Sequence, residues 1–166
     1  MSDGKTPENL SAAFAGESQA NRKYLAFAKK ADEEDYPQVA KLFRAAAEAE
    51  TVHAHAHLRA MNGIKSTKEN LNEAIEGETH EFTRMYPQMI EDAKSENDQR
   101  AFRSFDHANK VEKIHAGIYR KALENLGKNP DVKYYVCQVC GNTVENDAPD
   151  VCPICGSPRN MFKEIE

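Results

Sequence analysis

Two short stretches of this sequence are near copies of one another. Glu50-Thr-Val-His53-Ala and Glu112-Lys-Ile-His115-Ala lie 62 residues apart. The likeness extends around them: Tyr24 and Tyr86, and Ala31 and Ala93, share the 62-residue offset, while "GES" at 16–18 and "GET" at 77–79 are offset by 61. A repeat of this length with helical composition is a helical hairpin used twice. Two hairpins facing each other give a four-helix bundle with approximate two-fold symmetry.

The segment "EAETVHAHAHLRAM" at 48–61 alternates histidine with alanine, as a strand with one histidine face would. Its Ala- and Glu-rich setting argues for a helix instead. At about 100° per residue, Glu50 and His53 then share a face, and His55 points the opposite way into solvent. His57 lies on the Glu50 stripe two turns on, as a core histidine or a partner of the ligands.

Residues 6–126 read as helices. Thr6 is a candidate N-cap with Pro7 opening a first helix that runs to about Glu34. Pro37 opens a second, which ends near Gly63. A connecting stretch over 62–76, long enough to run the length of a bundle, contains a capping-box pattern from Ser66 to Glu69. A third helix covers about 77–95, kinked at Pro87, and a fourth covers 98–126 and stops at Gly127. The expected domains are a bundle over 1–127, a linker over 128–133 and a module of strands and turns over 134–166.

Each helix carries a seven-residue stripe that is apolar except for a glutamate near its middle. The stripes are Leu10, Glu17, Tyr24, Ala31; then Phe43, Glu50, His57; then Leu71, Glu78, Met85; then Phe105, Glu112, Tyr119, Leu126. Seven residues is nearly two turns, so each stripe keeps one face. Counted from the hairpin turns, all four glutamates reach one layer, about 22–28 Å deep. Four buried carboxylates without cations are very costly. A glutamate on each of two helices plus Glu-x-x-His on each of the other two is the di-iron ligand pattern of ferritin-like bundles. Glu81, three after Glu78, matches Ala20 in the other half and so supplies one carboxylate more than symmetry requires.

All four cysteines fall late, in "CQVCGNTVENDAPDVCPICG": Cys137, Cys140, Cys152 and Cys155. Two Cys-x-x-Cys knuckles, each followed by a glycine, suit one tetrahedral cation. A module of this size needs such a staple to fold. Gly141 and Gly156 permit tight turns whose amides can face sulfur. Spacing alone fits zinc or iron; the neighbouring redox-type layer favours iron, with zinc as the alternative. His80 and His107 are expected in solvent.

Net charge is −5 with no long basic run, which argues against nucleic acid as a partner. No apolar run approaches the roughly 18 residues of a membrane span, and "MSDGKTPENL" lacks the apolar core of a signal peptide. A cytoplasmic protein is expected.

The segments "FAGESQANRKYLAF", "EAETVHAH", "IEGETHEFTRMYP", "VEKIHAGIYRKA" and the paired "CQVCG" and "CPICG" closely resemble the rubrerythrin family, over essentially the whole chain. The resemblance implies a ferritin-like di-iron bundle followed by a rubredoxin-like Fe(Cys)4 domain. It implies reduction of hydrogen peroxide to water, with electrons entering through the cysteine-bound iron from rubredoxin or an NAD(P)H-linked reductase. By position, Glu50 and Glu112 would bridge two irons, with Glu17 terminal to one and Glu78 and His115 on the other. Glu81 and His53 would be alternative ligands of the Glu17 iron, and Tyr24 and Tyr86 would stand beside the site. A homodimer, head-to-tail or larger, would place one chain's cysteine iron beside the other chain's di-iron pair. Ferritin-like iron storage or ferroxidase activity is the competing reading, and a di-iron oxygenase a third.

Overall fold

In a computed structural model, residues 4–166 are described, and they form two compact units that divide between Lys65 and Ser66.

The first unit is a hairpin of α1 (Thr6–Glu33) and α2 (Pro37–Ala60). Thr6 begins α1 rather than capping it, Lys5 takes the cap position without a side-chain bond, and Pro7 falls in the first turn, where a missing N–H costs nothing. The turn is closed by Asp35 at φ 59°, with the Tyr36 amide donating to the Ala31 carbonyl at 2.8 Å. This left-handed cap recurs at Asn62 and Asn97. Asn62, not Gly63, therefore takes the left-handed position after α2; Gly63 supplies the next amide, to the Leu58 carbonyl at 2.9 Å.

Small side chains line the seam between these helices. Ala40, Ala47 and Ala54, seven apart on α2, are buried, as are Ala28 and Ala31 on α1. Among them Asn21 is also buried, donating to the Ala47 carbonyl at 2.7 Å and to Thr51 Oγ1 at 2.8 Å. The buried amide group thus has its donors used, as a polar group in a seam must.

The second unit holds α3 (Thr67–His80), α4 (Tyr86–Ser95), α5 (Gln99–Glu124) and a sheet of β1 (Tyr134–Cys137), β2 (Thr143–Glu145) and β3 (Phe162–Ile165). The capping box at Ser66 and Glu69 does form, and it starts a helix directly at Thr67. Most of the connection expected over 62–76 is therefore helix, and the non-helical link is 61–66. Between α3 and α4, residues Glu81–Met85 form a π-helical turn, and the chain stays helical into Pro87. The π-turn precedes the proline at which a kink was expected. It leaves room for a residue whose ring would otherwise strike the preceding turn and whose N–H is missing. Asp98 caps α5, accepting from the amides of Arg100 and Ala101 at 2.9 Å each.

The sheet is antiparallel in the order β2-β1-β3. The sheet and the segments beside it pack on α5: Lys121 pairs with Glu145 of β2, Asn129 Nδ2 in the preceding link donates to the Ala122 carbonyl at 2.8 Å, and a Cβ on Gly141, between β1 and β2, would lie 3.8 Å from Val111 Cγ1. The cysteine module is thus part of the same compact unit as α3–α5.

The repeat read from sequence is visible in packing within each unit. Tyr24 and Phe43 have ring centroids 6.2 Å apart at 31°; Tyr86 and Phe105, each 62 residues on, are 6.4 Å apart at 37°. Ala28 and Ile90, Ala31 and Ala93, and Ala54 and Ala116 are matching buried pairs at the same offset.

Candidate metal centres

In the first unit the ligand atoms of Glu17, Glu50 and His53 lie within 4.8 Å of one another. The helical phase puts Glu50 and His53 on one face: His53 Nδ1 is 3.0 Å from Glu50 Oε2. His55 is exposed and His57 half-buried. Neither belongs to a ligand cluster among the described residues.

In the second unit Glu78, Glu112 and His115 form the corresponding triad, again within 4.8 Å. His115 Nδ1 is 2.8 Å from Glu112 Oε2 and 3.9 Å from Glu78 Oε1. Burial, and then the neighbouring Glu112 and Glu81 carboxylates, push Glu78 up to about 7. Glu81, at the start of the π-turn, is raised for the same reasons, burial first and Glu112 second. Tyr86 and Tyr119 are raised by burial and by these carboxylates. Negative charge crowded into a half-buried layer is the condition a divalent cation relieves.

The four cysteine sulfurs form a third cluster within 4.8 Å. Cys137 and Cys155 Sγ are 3.8 Å apart, and Cys140 and Cys152 Sγ 3.6 Å. A tetrahedron with metal–sulfur bonds of about 2.3 Å has edges of about 3.8 Å, so the sulfurs already stand at the corners a cation needs. Gly141 and Gly156 take φ of 81° and 75°. Their amides donate to the Cys137 and Cys152 carbonyls at 2.8 and 2.9 Å, tightening the knuckles rather than facing sulfur. The amides that reach sulfur are one residue further on: Asn142 to Cys140, and Ser157 to Cys155. Buried Asn142 also directs its side-chain amide at Cys152 Sγ, 3.8 Å away.

His80 is exposed and His107 half-buried, and neither joins a cluster of three or more ligand-type residues among the described residues. Two residues that sequence reasoning gave no role stand at the second triad. Tyr119 was on the α5 stripe and could have been marked from it. Thr143, 28 residues from His115, has its Oγ1 2.9 Å from His115 Nε2, a contact with no sequence signal. Both line an apolar cavity of about 590 Å³ with Leu71, Ile118 and Tyr134.

A duplicated helical hairpin with a carboxylate–histidine triad in each copy, followed by a four-cysteine module, defines a di-iron carboxylate protein with a rubredoxin-like domain as the class. The profile described as "Rubrerythrin" matches residues 8–123, and that described as "Rubrerythrin, rubredoxin-like domain" matches 135–163. The chain belongs to the rubrerythrin family. It is 33% identical to Rubrerythrin-2 of Clostridium acetobutylicum over 98% of both chains. It is 35% identical to nigerythrin of Nitratidesulfovibrio vulgaris over 96% of this chain and 86% of that one. The solved structure of nigerythrin in its fully reduced, all-ferrous state aligns with a TM-score of 0.59 at 35% identity, covering 99% of this chain and 89% of that chain. No helix among the described residues is long and apolar enough to cross a membrane.

Proposed function

We propose that this protein reduces hydrogen peroxide to water at a di-iron site, re-reduced through an iron held by Cys137, Cys140, Cys152 and Cys155. Its two triads, Glu17/Glu50/His53 and Glu78/Glu112/His115, supply the carboxylates and imidazoles for two cations, with Glu81 as the seventh ligand. When bound, a pair of ferrous ions supplies the two electrons that cleave one O–O bond. The chain's own residues do the rest. Glu50 and Glu112, each within hydrogen-bond reach of its histidine, would hold the cations together with those imidazoles. Tyr86, standing in the field of Glu81, Glu112 and Glu78, keeps its phenol proton to donate toward the reacting oxygen. Tyr24 takes the matching place in the first half.

The single observation that carries this reading is the packing of the cysteine module on α5 beside His115, in one compact unit. An electron-carrying centre beside a carboxylate–histidine site suits repeated redox turnover, a purpose that iron storage lacks. The electron donor to the cysteine iron is a rubredoxin or an NAD(P)H-linked reductase, and the protein acts in the cytoplasm as a homodimer or larger assembly.

The test is metal analysis with rapid mixing. Close to three irons per chain, a red thiolate-to-iron band and faster oxidation by peroxide than by dioxygen are expected. Zinc in the cysteine site of protein purified from its native host, or faster oxidation by dioxygen, contradicts the proposal.

A further inference from the structure

Thr143 has one hydroxyl proton, and the Gly141 carbonyl beside it can only accept. Its Oγ1 donates to the Gly141 carbonyl at 3.1 Å. With the proton on that carbonyl, the 2.9 Å contact with His115 Nε2 runs the other way, an Nε2–H donating to the Thr143 oxygen. His115 Nδ1 meanwhile faces Glu112 and Glu78. A ring that keeps its proton on Nε2 offers the Nδ1 lone pair to a cation among those carboxylates. The carbonyl that orients Thr143 belongs to Gly141, covalently next to Cys140.

From this geometry we infer that Thr143 is a positioning residue, which fixes His115 with its proton on Nε2 and ties the Cys140–Gly141 knuckle to the Glu78/Glu112/His115 triad within one chain. The inference rests on the proposed metal reading and adds a function to a residue outside every ligand cluster. A histidine ligand normally donates its other ring N–H to a fixed acceptor, which sets its tautomer and orientation. Here that acceptor comes from the cysteine module itself, so docking of the module on α5 completes the triad.

The first unit shows the contrast. His53 is bonded to Glu50 through Nδ1, and its Nε2 has no hydrogen-bond partner among the described residues. Its side chain is 56% exposed against 26% for His115. One histidine is held at both ring nitrogens and the other at one. The tie also supplies a short connection for electrons: His115 ring, Thr143 hydroxyl, Gly141 carbonyl, Cys140. Irons held by the cysteines and by the triad would supply the one-electron exchange, and these residues would supply only the path.

The test uses the full chain in three forms: wild type, Thr143→Val and Thr143→Ser. Valine keeps the shape and removes the hydroxyl; serine restores it. Nitrogen-15 histidine spectra of the zinc-loaded proteins report the tautomer, and anaerobic competition with a chelator reports ferrous affinity. A slowly exchanging His115 Nε2–H is expected in wild type and Thr143→Ser, and its loss in Thr143→Val. One ferrous site per chain should weaken roughly 10- to 100-fold in the valine variant alone. The spectrum of the four-cysteine site, unchanged in all three, shows that the module is folded. Unaltered exchange and affinity in Thr143→Val overturn the inference while leaving the metal reading intact. Wild-type protein that takes up metal only at the cysteines overturns that reading, and the inference with it.

Discussion

The Tyr86 amide donates to the Glu81 carbonyl, five residues back, where an α-helix would bond four back. One residue is thereby absorbed without leaving the helix. The sequence repeat records the same event: the offset between halves is 61 at Gly77 and 62 at Tyr86. The extra residue lies between them, and the π-turn at Glu81–Met85 is where it is accommodated. The turn begins at Glu81, the one glutamate of the proposed ligand set without a counterpart in the first half. Replacing Glu81 by alanine should leave two cations per bundle site, because both triads remain. Peroxidase turnover should fall through loss of the seventh ligand. Iron analysis and steady-state kinetics check this; failure to load iron, or unchanged kinetics, would count against it.

The histidines separate by partner. His115→Ala and His53→Ala should each cost one iron per chain, while His55→Ala, at an exposed position, should retain both. Thermal stability should move little with His55→Ala, within about 0.5 kcal/mol. An empty site in the His55 variant alone would mean that the ligand face of α2 has been misassigned.

Metal-free protein should lose stability as pH rises. Glu78 has an ordinary value of 4.5 and about 7 in the folded chain. The unfolded chain therefore releases its proton first, and between about pH 4.5 and 7 folding opposes ionisation. The stabilisation is fully present below 4.5 and lost as pH passes 7. Melting temperatures of metal-free wild type and Glu78→Gln, compared across this window, should diverge as pH rises, with wild type falling relative to the variant. A constant difference would show that Glu78 does not titrate in this way.

Much of the fold could be read from the chain because its signals are local. The capping box at Ser66, the prolines at 7 and 37, and the late cysteine pairs each act over a few residues, and the helices and the small sheet follow from them. The repeat showed which residues share a face. The rest is not legible where two local signals compete or where the contact is distant in sequence. Ser66 starts a helix at once because Glu69 completes its cap, and this local signal outweighs the connection expected over 62–76. Asn62 competes with Gly63 for the left-handed position because its short polar side chain tolerates it. The packing of Thr143 on His115 spans 28 residues between two compositions, and no periodicity announces it.

The resemblance to rubrerythrins implies transfer from one chain's cysteine iron to another chain's di-iron pair, whereas the His115–Thr143 contact offers a path inside one chain. Mixed dimers decide between them. One chain carries Cys137→Ser and Cys140→Ser; the other carries Glu78→Ala and Glu112→Ala. Transfer within the chain leaves verified mixed dimers unable to use reductase electrons. Recovery of reductase-driven activity, in proportion to the mixed dimers formed, would establish transfer between chains.

The central claim is that peroxide is reduced at the carboxylate–histidine site and that the cysteine iron refills it. Fully reduced protein, mixed without oxygen with one equivalent of hydrogen peroxide per chain and followed in a stopped-flow spectrometer, tests this directly. The near-ultraviolet absorbance of the oxidised carboxylate site should rise first, and the red thiolate–iron band should follow as the cysteine iron gives up its electron. Glu112→Ala should show neither phase at a comparable rate. A red band that develops as fast in Glu112→Ala as in wild type would mean that peroxide oxidises the cysteine iron directly, and the proposed route would be wrong.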